Sequence, residues 1–304
     1  MPPMTFRWRV GWVRLVGIAC LLAILAAAVS EASAQHKRYR PLPDYVQLSR
    51  PNQEEGRKFL AEFRQKGFRG YLEFNLRVMP RRGPERVMAG RLWNDLLDDG
   101  PISRIELLGD QSTDQAQSSI LRLLLKGGSR AMVWRWEAGM QGEATVLGVD
   151  ALFESLGGTN LTAFDLQMPF LWWEDFAFEG VRKVRGRPAN SYLFYPPADF
   201  ISRHPALTGV RVFLDTQFNA LVQADQIGEE GKLLKTMSVL DLKKVGAHWI
   251  VKSIDLKDEN TRNKTRFVVT GAAMDQDFSP ILFTPDALLH SIPRPQMGFV
   301  AVGN

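Results

Sequence analysis

The sequence is poor in cysteine, with Cys20 alone among its 304 residues. This residue lies in an apolar N-terminal run that we expect to be cleaved, which would leave a mature chain without cysteine. Such a chain can have no disulfide, no thiolate metal ligand and no cysteine nucleophile. Its stability must come from an ordinary core, and a composition of 45% apolar and 23% charged residues is typical of a globular protein.

Excess charge of one sign is also scarce. The formal net charge is +5, and it falls to about +3 once the arginines and Glu31 of the N-terminal run are removed. The basic residues are interleaved with acidic ones, unlike the concentrated positive charge of nucleic-acid-binding proteins, so no nucleic-acid partner is predicted. The basic run from Arg182 to Arg187 is interpreted as a solvated hairpin tip rather than a docking patch.

The N-terminus has the pattern of a secretory signal peptide. Three arginines precede the apolar run Leu15 to Val29, and the small residues Ala32-Ser33-Ala34 follow it. Positive charge, a short apolar stretch and an A-x-A site are the three parts that signal peptidase substrates share. The pattern predicts a signal peptide over residues 1–34, cleaved between Ala34 and Gln35, and a flexible tether over residues 35–50.

Two other interpretations of this leader stay open. Ala19 directly before Cys20 is typical of a bacterial lipobox, in which the cysteine carries a lipid. Gly17 stands where a lipobox normally has leucine, however, and the apolar run continues beyond the cysteine. The third interpretation is a retained membrane anchor, since the charge pattern of the leader fits that as well.

Hydrophobic periodicity predicts one helix followed by many strands. Apolar residues at three- and four-residue spacing predict a helix from Asn52 to Gln65, and from Leu72 onward the period changes to two. Because the links between the predicted strands are short, neighbouring strands should be antiparallel. The fold class predicted is therefore α+β, with one long, curved antiparallel sheet and a few helices against a single face. Beyond the first, strands are expected over residues 87–93, 103–108, 120–125, 131–136, 176–184, 190–195, 210–214, 221–227, 234–242, 248–256 and 265–270.

Catalytic motifs are missing from the sequence. The four histidines lie far apart with no second ligand at metal-binding spacing, and His248 falls within a predicted strand. There is no G-x-S-x-G nucleophile turn, no phosphate-binding glycine loop and no H-E-x-x-H. We therefore predict no catalytic residue, no cofactor and no metal ligand, and we expect a protein that is not an enzyme.

Large aromatic residues, in contrast, are abundant, with eight tryptophans and eighteen phenylalanines in the chain. Trp134 and Trp136 share one face of a predicted strand. A central segment is crowded with further aromatic residues, and Thr162 followed by Asp165 marks a helix start there. Two interpretations are open: an ordinary aromatic core, or an apolar cavity that accepts an acyl chain.

The segment Gly158 to Leu166 has the order glycine, small polar, aromatic, acidic and leucine. Four further segments follow downstream: Tyr192-Leu193-Phe194-Tyr195-Pro196-Pro197, Gly231-Lys232-Leu233-Leu234-Lys235, Gly246-Ala247-His248-Trp249-Ile250 and Asn263-Lys264-Thr265-Arg266-Phe267. Together these segments resemble the LolA-like outer-membrane lipoprotein-sorting proteins, the family of LolA, LolB and LppX half-barrels. The resemblance covers about Phe59 to Leu289 in its order of elements, and its most specific part is the first segment.

The resemblance implies an unclosed half-barrel whose helices form a lid over an apolar cavity on the concave face of the sheet. A single domain would cover residues 51–290, followed by an extended tail over residues 291–304. In LolA an arginine latches the lid from inside the barrel, and Arg91 and Arg104 are the candidates here. The residues predicted in or near the cavity are Trp134, Trp136, Phe164, Leu166, Phe170 and Trp172.

Proteins of the LolA type collect acylated lipoproteins at the inner membrane and carry them across the periplasm to an outer-membrane receptor. By resemblance, the chain is expected to be a periplasmic, monomeric carrier or binder of lipoprotein acyl chains or lipids. An inner-membrane donor and an outer-membrane acceptor would be its partners. The main alternative is a cell-envelope interaction protein with a packed core and no lipid cargo, and a further one is a hydrolase or glycan-modifying enzyme whose site is not visible in the sequence.

Overall fold

The computed structural model describes residues 52–98, 100–110, 119–140 and 142–303. The predicted signal peptide, Cys20, the cleavage site between Ala34 and Gln35 and the predicted tether over residues 35–50 lie outside the described residues. No helix within the described ranges has both the length and the apolar character of a membrane span.

The first helix, α1 (Gln53–Arg64), confirms the prediction from hydrophobic spacing. The side chain of Asn52 caps it by accepting hydrogen bonds from two backbone N–H groups of the first turn. Acidic residues in that turn and Arg64 in the last turn suit the helix dipole. Leu60 and Phe63 are buried on the face that packs against the sheet.

A single antiparallel sheet dominates the described residues, as predicted. The strands lie close to the predicted positions, and each pairs with the next along the chain within two meanders, β1 to β6 and β7 to β13. Their bounds are β1 Gly70–Met79, β2 Arg86–Leu97, β3 Gly100–Asp110, β4 Ser119–Lys126, β5 Met132–Glu137, β6 Thr145–Val146, β7 Phe176–Val184, β8 Arg187–Phe194, β9 Gly209–Asp215, β10 Leu221–Ile227, β11 Leu233–Val245, β12 His248–Asp258, β13 Lys264–Met274 and β14 Phe299–Ala301.

The two meanders join where β1 pairs with β13, which places β6 and β7 at opposite ends of the sheet. Within the described residues these two end strands do not pair, so the sheet is not closed. Period-two alternation gives each strand two faces. We call the face that carries Leu72, Phe74 and Leu76 the inner face, and the face that carries Tyr71 and Trp93 the outer face.

The inner face packs against the helices and forms the main core. A capping box between Thr162 and Asp165 starts α2 (Ala163–Gln167), which ends at Met168 with a left-handed backbone, and Pro169 opens the next turn. The third helix is α3 (Ala198–Arg203), whose Phe200 is buried in the same core. We call residues 150–173 the lid segment; besides α2 it contains 3-10 turns at Asp150–Phe153, Leu156–Gly158 and Pro169–Trp172.

The outer face near β1 to β5 is covered by the C-terminal part of the chain. Two 3-10 turns, Pro280–Phe283 and Asp286–Leu289, pack against a smaller cluster around Tyr71 and Trp93. The sequence predicted an extended tail beyond residue 290. In the structure β14 (Phe299–Ala301) pairs with β13, and Val302 is 6% exposed in the main core.

Candidate functional site

The sheet opens between β10 and β11. These strands pair from Ile227↔Leu233 to Gln223↔Ser238 and no further. At this point β10 has an irregular register beside Val222, and β11 has two irregularities between Val239 and Leu242. A bulge bends its strand and ends regular pairing, so bulges at the same level in both strands turn them apart.

An open groove of about 820 Å³ lies between the separated strands. Its size is within the range of small-molecule sites. The walls are mainly apolar, and the rim carries Arg185, Arg187, Asp215 and Asp241. The apolar lining comes from the β9–β10 turn, β10, β11 and the start of β12: Phe218, Ala220, Leu221, Val222, Val239, Leu240, Leu242 and Trp249.

Helix α1 holds one wall of this groove in place. Lys66, just beyond its C-terminus, donates hydrogen bonds from Nζ to the backbone oxygens of Phe218 (2.9 Å) and Asn219 (3.2 Å). The Asn219 amide donates back to the backbone oxygen of Phe59 at 3.0 Å. Burial lowers the pKa of Lys66, while the nearby charge of Glu62 raises it. The β9–β10 turn is thus tied to the helix rather than to β11.

Asp165 fastens the lid segment to the strands beside the groove. Its carboxylate is 1% exposed and accepts hydrogen bonds from the Thr162 N–H (2.9 Å) and hydroxyl (2.7 Å). It also accepts one from the Gln226 amide on β10 at 2.9 Å and forms an ion pair with Lys235 on β11. The sequence predicted only a helix cap here, because the partners on β10 and β11 lie more than fifty residues away.

Three of the predicted cavity residues lie together in the packed inner core. Phe164, Leu166 and Phe170 are each at most 1% exposed. The ring of Phe164 stacks on Phe153 with 4.6 Å between centroids and lies 5.5 Å from that of Phe170. In this structure these three predicted cavity residues are therefore packed in the core beneath the lid segment, and the groove does not include them.

Trp134 and Trp136 lie on the outer face, so the structure does not bring them together with Phe164. Their β4 partners are Leu124 and Arg122, and the Arg122 guanidinium lies 4.1 Å from the centroid of the Trp136 ring. Period-two alternation sends them to the face opposite Val133, which is in the inner core. The sequence predicted both tryptophans in or near the same cavity as Phe164, and their shared strand face alone did not tell which face of the sheet they occupy.

Arg91 and Arg104 also lie on the outer face, away from the lid segment. Arg91 is opposite Glu73 in the β1–β2 register. Arg104 is fully buried and forms an ion pair with Glu106 at 2.8 Å. It donates hydrogen bonds to the backbone oxygens of Ala287 (2.7 Å) and His290. Arg104 thus holds the C-terminal segment instead of the lid.

Arg64 contacts the end of the lid segment, while Arg86 and Arg135 contact its first part, and sequence reasoning missed all three. From the last turn of α1 Arg64 donates hydrogen bonds to the backbone oxygens of Leu171 and Trp173. Its guanidinium lies 5.3 Å from the centroid of the ring of Trp172, the remaining predicted cavity residue, which is half-buried. The sequence showed a basic residue at a helix end, but not that its partners lie more than a hundred residues further on.

The groove residues were also missed as a site. The sequence predicted the strands that carry Leu240 and Trp249, but two apolar residues in ordinary strand positions give no sign that pairing stops there.

Within the described ranges, His, Cys, Asp and Glu side chains form no group of three or more arranged to hold a metal ion. His248 lies 2.7 Å from Asp275, and burial against Phe153 lowers the pKa of His204.

Comparison by sequence identifies only an uncharacterised group. A family model described as "Uncharacterized protein" matches residues 155–290, which contain the lid segment from Ser155 onward and the strands β7 to β13. None of the curated proteins matches the chain.

Comparison by structure finds the same fold in solved proteins. A DUF1329 family protein from Desulfovibrio piger is 13% identical with a TM-score of 0.64, over 77% of this chain and 98% of that one. A domain from Vibrio parahaemolyticus, described as that of an outer membrane lipoprotein-sorting protein, is 14% identical with a TM-score of 0.65, over 79% and 100%. A LolA superfamily protein from Nitrosomonas europaea is 12% identical with a TM-score of 0.56, over 76% and 96%. The chain therefore has the unclosed half-barrel fold of the LolA-like proteins.

Proposed function

We propose that the protein is a non-catalytic binder or carrier of acyl chains, from a lipid or an acylated lipoprotein, and that the groove between β10 and β11 is the binding site. The observation that carries this proposal is the groove itself, with a volume of about 820 Å³ and walls formed by residues such as Leu221, Leu240 and Trp249. Each methylene buried there would contribute about 0.8 kcal/mol, so a chain of several carbons would bind measurably.

The fold likeness supports the same proposal. One neighbour in structure is described as an outer membrane lipoprotein-sorting protein, and another belongs to the LolA superfamily. A fold does not dictate a function, so the likeness supports the class of ligand and the groove supplies the local chemistry. In keeping with this class, we propose a periplasmic location for a monomeric carrier that exchanges cargo with an inner-membrane donor and an outer-membrane acceptor.

The packed core beneath the lid segment would be a second binding region for the acyl chain, and it is closed in this structure. To open it, the contacts of Arg64 with the lid segment and the ion pair between Asp165 and Lys235 would have to break. We propose that the groove receives the acyl chain first, because it is open without this change. Phe164, Leu166, Phe170 and Trp172 would then become accessible only with the lid segment displaced.

The test is titration of the purified protein with dibromostearic acid, whose bromine atoms quench nearby tryptophans. We expect saturable quenching that is largely lost in W249F, because Trp249 lines the groove. The variant L240E should weaken binding at least about tenfold, since it places a charge in an apolar wall. L233E is the matched control, because Leu233 is on the same strand, is 38% exposed and lies outside the groove.

Equal affinities of L240E and L233E would show that the acid binds elsewhere, and absence of saturable quenching would contradict the proposal as a whole. If the expected quenching is observed, mass spectrometry of protein purified from its native envelope would identify the cargo. A co-purifying acylated species at one equivalent is the expected result.

A second candidate function rests on one observation. On the side away from β12, residues 239–245 of β11 pair with no other strand within the described part of the chain. A free strand edge can accept an extended peptide as an additional strand. This favours the alternative of an envelope interaction protein, and an acyl-free protein that binds a partner peptide at β11 would support it.

A further inference from the structure

The rim of the groove carries arginines, and binding of an apolar acyl chain gives these charges no role. Arg185 and Gly186 form the turn between β7 and β8, and Arg187 is the first residue of β8. Both arginines line the same groove as Leu221 and Trp249. The sequence placed this basic run at a hairpin tip, which is correct, and the structure adds that the tip stands over an apolar groove.

Folding does not account for the choice of arginine at the turn. Arg185 has a φ of 52°, a left-handed conformation that favours glycine, asparagine or aspartate in a two-residue hairpin turn. Arg262 shares this conformation, but its guanidinium pairs with Glu259 at 2.9 Å. Arg185 makes no hydrogen bond or ion pair within the described residues. A long residue kept in an unfavourable conformation without a partner is typical of a functional position.

The other rim charges leave the arginines available. Arg187 is 3.8 Å from Asp215, and its side chain is 56% exposed. The Asp215 carboxylate already accepts hydrogen bonds from the backbone N–H groups of Gln217 and Phe218, both at 2.9 Å. Asp241 likewise accepts one from the N–H of the next residue. Asp215 therefore stabilises the backbone through Oδ1 and forms only a long ion pair with Arg187 through Oδ2, while Arg185 and Arg187 both stay exposed.

We propose that the groove binds an anionic phospholipid, with an acyl chain between β10 and β11 and the phosphate held by Arg185 and Arg187. This inference rests on the proposed acyl-chain function and names its ligand. A guanidinium group matches phosphate oxygens with two parallel hydrogen bonds, which a lysine cannot do. A zwitterionic lipid with the same chains fills the groove equally, but its choline cation opposes the positive rim.

The test is calorimetric titration of the full mature protein with dioctanoyl phosphatidylglycerol and dioctanoyl phosphatidylcholine, both below their aggregation concentrations. We expect phosphatidylglycerol to bind at least about tenfold more tightly, with a preference that falls as salt is added. R185G should remove most of the preference by weakening the binding of phosphatidylglycerol more than that of phosphatidylcholine, and the turn should stay folded because glycine suits its backbone. R187Q, which leaves the turn residues unchanged, should do the same.

R82G is the matched control, since Arg82 is an exposed arginine of the β1–β2 turn outside the groove. It should keep the wild-type preference. Equal affinity for the two lipids, or an unchanged preference in R185G and R187Q, would overturn the anionic-headgroup inference and leave the acyl-chain function standing. Failure of both lipids to bind would overturn the acyl-chain function, and the inference with it.

Discussion

The β11–β12 hairpin separates from the sheet on both of its sides, and the two gaps differ in what fills them. On the β12 side, pairing with β13 ends at Ser253↔Val268. Beyond that pair β14 occupies the edge of β13, Val302 donates its N–H to the Thr270 oxygen, and Lys252 donates to the Gly303 oxygen. On the β11 side the gap is the groove of about 820 Å³.

The two gaps differ in what fills them, and this difference distinguishes a gap that the fold closes from a gap that can bind a ligand. The closed gap is filled by residues that the chain supplies itself, with a strand ladder and a buried apolar side chain. The open gap has apolar walls and bulged strands, but no described segment of the chain enters it. A strand edge and apolar walls left open in this way are costly, because proteins normally protect exposed edges and apolar patches. A ligand would supply the missing cover.

The largest expected effect on stability comes from releasing the C-terminal segment, which closes the filled gap further along the chain. Glu106 is fully buried, where it pairs with Arg104 and accepts hydrogen bonds from the Ser291 hydroxyl (2.9 Å) and the Ile292 N–H (3.3 Å). Burial lowers the pKa of Arg104 and Glu106 raises it, so this carboxylate compensates the buried cation. E106L should lower the free energy of unfolding by about 3–5 kcal/mol, measured by urea denaturation.

The double variant R104M/E106L tests whether the loss comes from the uncompensated charge. Removal of both charges should recover part of the stability lost in E106L, because no unpaired cation then stays beside Trp93. A double variant less stable than E106L would show that the backbone contacts of Arg104, rather than its pairing with Glu106, hold the C-terminal segment.

An intermediate effect is expected from a chain that ends at Gly298. This truncation removes β14 and the buried side chain of Val302, at a cost of about 2 kcal/mol in the free energy of unfolding. It also exposes the edge of β13 at Gly271, so the protein should associate at high concentration in sedimentation experiments. A chain that ends at Val302 is the control. Both chains should bind dibromostearic acid like the wild type, and a loss of binding in the shorter one would show that the two gaps are coupled.

The sequence predicted the sheet well because each strand follows local rules. Alternation over residues such as Leu72 and Phe74, with short turns between strands, gave the antiparallel order without knowledge of distant contacts. The position of β14 could not be predicted in this way. Its partner Gly271 precedes it by about thirty residues, and the short segment has no alternation of its own.

The candidate site was harder to predict because it also depends on residues that are distant in the sequence. Aromatic density pointed to Phe164 and Phe170, which are core residues, because burial in a core and burial around a ligand require the same residue types. The groove depends on the end of pairing after Gln223↔Ser238, which is a property of two strands together. The turn at Arg185 left a signal that could have been used, since arginine before glycine is an unusual choice for a two-residue hairpin turn.

The smallest expected effect comes from loosening the wall of the open gap with K66M. Loss of the two hydrogen bonds from Lys66 should lower the free energy of local opening of the β9–β10 turn by about 1 kcal/mol, because its carbonyls are half-buried and can accept from water instead. The turn keeps its internal bonds between Asp215 and Asn219, so its amides should exchange faster without a change in global unfolding. K58M, an exposed lysine change on the same helix, is the control for hydrogen exchange. Equal protection in both variants would mean that the Lys66 contacts do not hold this wall, and that the hydrogen bond from Asn219 to Phe59 and the internal bonds of the turn are sufficient.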